Sequence, residues 1–262
     1  MQRPWSNGLP MPSNLNAKPS PNAPGGPSSW DAEFEEILYH ITHDIRASLR
    51  AIKTLPEWIL EELERTCPAI PSQVTEDFAL LRTQAERADQ ILLDLRAYSR
   101  VGRLSDSPSR LDVSAVFAEA LADTDPEETL TVETKFQEAA LLAPRNDMVT
   151  VFCALLSNAV KHNTGPDRRV FVGNSADEDG VHLVVEDAGP GIAPEFHERV
   201  FKLMTTLRSR DECEGSGVGL ALVRKIADSL GGKVGIARST RLGGTRITLS
   251  LPLAYLDTNP RH

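Results

Sequence analysis

Two successive apolar stripes at helical spacing set the limits on how this chain can fold. Phe34, Ile37, Leu38, Ile41, Ile45, Leu49, Ile52, Ile59 and Leu63 recur at intervals of three and four. That spacing places them on one face of a helix roughly eight turns long. Ser28 and Ser29 offer an N-cap, and Asp31, Glu33, Glu35 and Glu36 fill the first turns, where the helix dipole favours acids. Pro56 interrupts the stripe and is expected to kink the helix or free a carbonyl. The segment from Cys67 to Ser72, with two prolines, reads as a turn. Val74, Phe78, Leu81, Ala85, Ala88, Leu92, Leu95 and Tyr98 then form the second stripe, which ends near Gly102. Two antiparallel helices cannot cover stripes this wide between themselves. A second copy of the hairpin would cover them in a four-helix bundle, so a homodimer is expected. Folding of the hairpin onto the rest of the chain is the intramolecular alternative.

The remainder divides by composition and period. Residues 1–28 are dominated by Pro, Asn, Ser and Gly, with too little apolar surface to offset the entropy of ordering, and are expected to be disordered. Residues 29–104 hold the helical hairpin, 105–110 read as a linker, 111–255 as a second domain and 256–262 as a tail. Within the second domain a helix is expected at about 113–122, strands at Thr129–Lys135 and Ala140–Ala143, and a helix from Asp147 to Lys161. Strands Arg169–Gly173 and Val181–Glu186 follow, then a helix Val218–Leu230. Strands Lys233–Ala237 and Thr245–Leu251 close the domain, joined by a hairpin loop containing Gly243-Gly244. The expected class is α+β: a helical hairpin, then an α/β sandwich of one mixed sheet with helices on one face.

Bulk properties exclude several functions. A net charge of -9 over 262 residues makes the chain a poor ligand for nucleic acid or an anionic membrane surface. Apolar runs such as Val151 to Leu156 are too short to span a bilayer, and the N-terminus has no apolar signal core. Cys67, Cys153 and Cys213 are scattered without metal-ligand spacing, which fits a reducing, cytoplasmic location.

Two glycine clusters carry the chemistry. In the first, Asp187-Ala188-Gly189-Pro190-Gly191, the acid emerges at the end of an apolar strand. Its carboxylate can accept a hydrogen bond from an exocyclic amine, while Gly189 and Gly191 let the backbone pass close to a base. Taken alone, this is also an ordinary turn after a strand. The second cluster, Gly215-Ser216-Gly217-Val218-Gly219-Leu220, opens a helix. Glycines there leave unpaired N–H groups facing outward, a cradle for phosphate. It lacks the Lys-Ser or Lys-Thr of a P-loop, and its spacing is not that of a Rossmann turn. Upstream, Asn158 and Lys161 share one helix face. An amide oxygen suits Mg²⁺ and a lysine meets phosphate as a point charge, although a solvated face would look the same. Between the clusters, Phe201 to Glu214 carries Lys202, Arg208 and Arg210 and reads as a mobile lid over phosphates.

The order of these elements resembles the Bergerat-type ATP-binding domain, with Val200-Phe201-Lys202-Leu203-Met204 similar to its phenylalanine box. Within that group the resemblance is to the catalytic core of sensor histidine kinases and spans roughly 30–254. The stretch from Leu207 to Gly215 is similar to the lid of phytochrome-like members, with Cys213 in place of a common aromatic. The resemblance implies ATP and Mg²⁺ as cofactors. It assigns Asn158 (also to the metal), Lys161, Asp187, Gly189, Gly191, Arg208, Gly215, Gly217, Gly219 and Leu220 to the nucleotide.

On the first helix, His43-Asp44-Ile45-Arg46-Ala47-Ser48 resembles the phosphoacceptor box of the same family. His43 lies off the apolar stripe, where an imidazole is substantially neutral near pH 7 and nucleophilic. Asp44 can bond one ring nitrogen and take up a proton. The resemblance makes His43 the phosphoacceptor and Asp44 its acid/base helper. Ser48 stands where a proline is common, Ala47 where many relatives place Thr or Asn for water-mediated dephosphorylation, and Ala154 where a polar residue is frequent. From Ala47, weak or absent phosphatase activity is expected. The expected function is ATP-dependent autophosphorylation of His43 and transfer to an aspartate of a response-regulator receiver domain, with input from a separate sensory partner. A non-catalytic phosphotransfer hub and a Bergerat-type ATPase clamp are the alternatives.

Overall fold

A computed structural model describes residues 29–67, 69–102, 105–125, 127–137, 140–163, 168–207 and 215–257. The expectation of disorder for 1–28 and the lid residues Arg208, Arg210 and Cys213 lie outside that set.

Both apolar stripes fold as helices, α1 (Ser29–Thr66) and α2 (Ser72–Arg100), packed as a hairpin. α1 runs through Pro56 without interruption, so the proline costs one amide hydrogen bond and does not end the helix. Polar pairs register the hairpin: Arg46 Nε meets Asp89 Oδ1 at 2.6 Å, and Lys53 Nζ lies 3.7 Å from Asp89 Oδ2. Much of the stripe stays uncovered within one chain, with Ile37 and Ile41 each 50% exposed and Trp58 62% exposed. Thus the hairpin alone does not bury the surface that its sequence supplies.

The second region begins with β1 (Ser109–Leu111), α3 (Val113–Thr124), β2 (Thr131–Lys135), β3 (Ala140–Ala143) and α4 (Arg145–His162). It continues with β4 (Arg169–Asp177), β5 (Gly180–Asp187), α5 (Gly219–Ser229), β6 (Lys233–Arg238), β7 (Thr245–Leu251) and β8 (Leu256–Asp257). The main sheet runs β2-β4-β5-β7-β6, parallel only at β2–β4. Strict alternation in β7 buries Thr245, Ile247, Leu249 and Leu251 against the helices and leaves Arg246, Thr248 and Ser250 on the other face. Met148, Val151, Phe152, Leu155 and Leu156 of α4 and Val223, Ile226 and Ala227 of α5 pack on that inner face. α3 adds Phe117, whose ring sits edge-on to Phe152 at 5.7 Å.

The expectation of a single mixed sheet is corrected: β1, β3 and β8 form a second, three-stranded antiparallel sheet. Ser109–Leu111 had read as the end of a linker and its junction, and Leu256–Asp257 as tail. Both are too short to show a period. What makes them strands is backbone pairing with Ala140–Ala143, whose Leu141 and Ala143 close one end of the core.

The helical hairpin also docks on this region. Val101, just past α2, joins its core. Lys225 of α5 donates to the Tyr98 carbonyl at 2.5 Å, with its ammonium 4.3 Å from the centre of the Tyr98 ring.

Candidate nucleotide site

β5 buries Val181, Leu183, Val184, Val185 and the acid Glu186 and leaves only His182 half-buried before its last residue, so the chain delivers Asp187 to the sheet end as a half-exposed acid. Backbone amides then orient it. Asp187 Oδ1 accepts from Gly189 N–H at 2.8 Å and from Thr245 N–H at 3.0 Å, and the Asp187 carbonyl accepts from Gly244 N–H at 3.2 Å. Both side-chain bonds fall on Oδ1, which leaves Oδ2 as the acceptor for a ligand amine. The close approach also requires glycine at 244, because a β-carbon there would overlap Asp187 Oδ1 and the Asp187 carbonyl. Gly244 and Thr245 had read only as hairpin and strand. The Gly-Gly pair was the visible signal, and its partner across the sheet was not.

Two further elements converge on the same space. α4 presents Asn158 and Lys161 together with Ser157, Ala154 and Cys153. Burial pushes the Cys153 thiol up, which makes it a poor nucleophile. The second glycine cluster forms the facing wall through Gly215, Gly217, Gly219 and Leu220. Gly217 has φ of +70°, and a β-carbon there would lie 2.7 Å from the Thr205 backbone, so both conformation and contact demand glycine. Ser216 Oγ accepts from Val218 N–H at 3.2 Å, folding the loop onto the start of α5.

These walls enclose a cavity of about 840 Å³, a volume suited to a nucleotide. Asp187 and Gly191 line it, and Thr205 to Leu207 form its rim. Gly189 is not among the lining residues; its amide serves to pin Asp187. Arg208 lies outside the described residues. One wall was not anticipated: Arg87, Gln90 and Asp94 of α2 also face the cavity. Their spacing of three and four sets them on one face of the helix, a pattern that a plain solvated face would share. Asn158 lines the cavity and offers it an amide oxygen of the kind that suits Mg²⁺. No group of three or more His, Cys, Asp or Glu suited to a metal exists among the described residues. Such a site fits Mg²⁺ completing its shell with phosphate oxygens and water.

His43 stands elsewhere. Its side chain is 62% exposed on α1, with Nδ1 3.2 Å from Asp44 Oδ1, and it does not line the cavity. The structure therefore brings Asn158, Lys161, Asp187, Gly191, Gly215, Gly217, Gly219 and Leu220 around one cavity and leaves His43 and Asp44 on a separate open surface.

Similarity to known proteins agrees with this geometry. Residues 144–255 match the family described as histidine kinase-, DNA gyrase B-, and HSP90-like ATPase. The sensor protein RstB of Escherichia coli (strain K12) is 32% identical over 85% of this chain and 49% of its own length. A phytochrome-like protein of Synechocystis sp. is 26% identical over 85% of this chain and 30% of its own. In fold, the chain is similar to a crystal structure of full-length ShkA in complex with AMPPNP, with a TM-score of 0.61 and 21% identity over 87% of this chain and 47% of that one. Across the leading curated relatives, this chain spans between 25% and 49% of their length. Residues 144–255 thus match an ATPase family model, and 85% of the chain is similar to about half of a sensor protein.

Proposed function

We propose that the chain is the core of a two-component histidine kinase that phosphorylates its own His43 from Mg-ATP and passes the group to an aspartate of a response-regulator receiver domain. The observation that carries this reading is Asp187, pinned by two backbone amides at the mouth of a cavity that also holds a glycine-rich helix start. Asp187 Oδ2 would accept the adenine amine. The backbone of Gly215, Gly217 and Gly219, with Lys161 and Asn158-held Mg²⁺, would neutralise the phosphates. Arg208 would add charge from the lid.

At the acceptor, Nδ1–H donates to Asp44, which leaves the lone pair on Nε2. Nε2 forms the new N–P bond while the γ-phosphorus–oxygen bond breaks and ADP leaves with the bonding electrons. Asp44 stabilises the positive imidazole that results and takes up its Nδ1 proton. Catalysis is chiefly positioning and charge neutralisation.

The uncovered stripe on α1 and α2 supports a homodimer through the hairpin, with 29–104 as the dimerisation and phosphotransfer unit and 111–255 as the catalytic one. The lid sequence and the Synechocystis relative support a phytochrome-like subgroup. Among the described residues no helix is long and apolar enough to cross a membrane, and a cytoplasmic site is part of the proposal. Mg-ATP labelled at the γ-phosphate should give an acid-labile, base-stable phosphoprotein. Retention of that label in His43→Ala would overturn the assignment.

A further inference from the structure

The cavity wall formed by α2 has no place in the mechanism just given, yet it makes a direct side-chain contact between hairpin and cradle. Asp94 Oδ2 accepts a hydrogen bond from the Ser216 hydroxyl, and Asp94 Oδ1 accepts one from Gln90 Nε2 at 2.7 Å. Both carboxylate oxygens are thereby committed. Ser216 Oγ in turn takes the Val218 amide at 3.2 Å, one residue before α5 begins. On its other side α2 is tied to α1 by Asp89, which binds Arg46, three residues after His43. The covalent and hydrogen-bonded path from acceptor to cradle thus runs His43, Arg46, Asp89, Asp94, Ser216, Val218.

We infer that Asp94 is a positioning residue: by holding Ser216 it sets the phosphate cradle at a defined place against the helix pair that carries His43. The inference rests on the kinase reading above and assigns to one carboxylate the geometry between donor and acceptor. An acid beside a phosphate cradle opposes nucleotide binding by charge repulsion, so its contribution lies in geometry and not in affinity. Misplacement of a reacting group by about 1 Å can cost roughly a hundredfold in rate, which is the scale on which such a link acts. Lys225 and Tyr98, one turn further along α2, hold the same two elements together, so loss of Asp94 loosens this docking without abolishing it.

The test compares steady-state labelling of His43 in the full chain with Asp94→Ala, Asp94→Asn and Ser216→Ala. It adds ADP affinity and amide hydrogen exchange at Val218. Asp94→Ala and Ser216→Ala are expected to lower kcat roughly tenfold to a hundredfold, with KM for ATP unchanged or lower. They should also speed exchange at Val218, and the double variant should be no worse than either alone. Asp94→Asn keeps an acceptor for the Ser216 hydroxyl and should restore most of kcat. Ser216→Ala removes a single oxygen and guards against loss of fold in the Asp94 variants. A wild-type chain that labels His43 while Asp94→Ala and Ser216→Ala label equally fast overturns the inference and leaves the kinase reading standing. So does a loss that appears only in KM. A wild-type chain that binds ADP yet takes no label removes the kinase reading and the inference with it.

Discussion

Gly244 and Asp187 are in direct contact across the sheet end: Gly244 N–H donates to the Asp187 carbonyl at 3.2 Å, and a β-carbon at 244 would overlap the Asp187 carboxylate. The acid proposed to read the base is thus held by a glycine more than fifty residues later in the chain. Gly244→Ala must push Asp187 aside or distort the β6–β7 loop. Its expected effect is a fall in ATP affinity of at least about tenfold, equivalent to roughly 1.4 kcal/mol, in a protein that still folds. Isothermal titration with ADP, alongside a circular dichroism melt, checks both parts.

Asp187→Asn tests the same site from the other partner. Asn keeps one oxygen, and the two backbone amides will claim it, so the NH₂ group faces the base amine as donor against donor. Loss of a charged hydrogen bond of about 1.5–3 kcal/mol predicts a roughly tenfold to hundredfold weaker Kd. The discrimination between ADP and GDP should shrink together with affinity. Unchanged affinity would mean that Asp187 does not contact the base.

At the acceptor the two members of the pair should separate kinetically. His43→Ala removes the nucleophile and should abolish labelling while leaving ADP affinity intact, since His43 is not a cavity residue. Asp44→Asn should keep labelling but lower kcat by roughly a hundredfold or more, the usual contribution of a positioned acid/base group. Single-turnover labelling at saturating ATP measures this without interference from binding.

How much of this was readable beforehand follows from the length over which each signal extends. The stripes on α1 and α2 run for many turns, so their period identified both helices and the surface that they leave uncovered. In β7 the alternation of Ile247, Leu249 and Leu251 is equally plain. Asp187 and the glycines at 215, 217 and 219 were legible because each motif is local, and the cavity that joins them follows from the fold. By contrast β1 and β8 exist only through pairing with β3, and Gly244 matters only through a residue on another strand. Asp94 is of the same kind: its helix position is obvious, its partner Ser216 is not. Non-local contacts of this sort leave no period and no spacing in a single sequence.

Two buried aspartates predict opposite responses of stability to pH. Asp125, at the end of α3, is 6% exposed. Burial pushes its pKa up, but hydrogen bonds from Thr129 Oγ1 at 2.6 Å, Leu130 N–H at 2.8 Å and Thr129 N–H at 2.9 Å outweigh that and hold it below the ordinary value. A depressed carboxylate contributes stability above about pH 3.9, lost as pH falls through the lower folded-state pKa. Asp147, in the first turn of α4, is 7% exposed; its Oδ2 has no hydrogen-bond partner. There burial pushes the pKa up, a bond from Ser105 opposes it, and the nearby Asp106 adds to it. A raised carboxylate acts with the reverse sign: its contribution is complete below about pH 3.9 and is lost as pH rises through the folded-state pKa. Asp125→Asn should therefore destabilise at pH 7 by about 1–3 kcal/mol, with the difference from wild type narrowing in acid. Asp147→Asn should be neutral or stabilising at pH 7, and its advantage should disappear below pH 4 or so. Urea unfolding of the three proteins between pH 3.5 and 7.5 reads both slopes, and slopes of the same sign would refute the assignment of at least one carboxyl group.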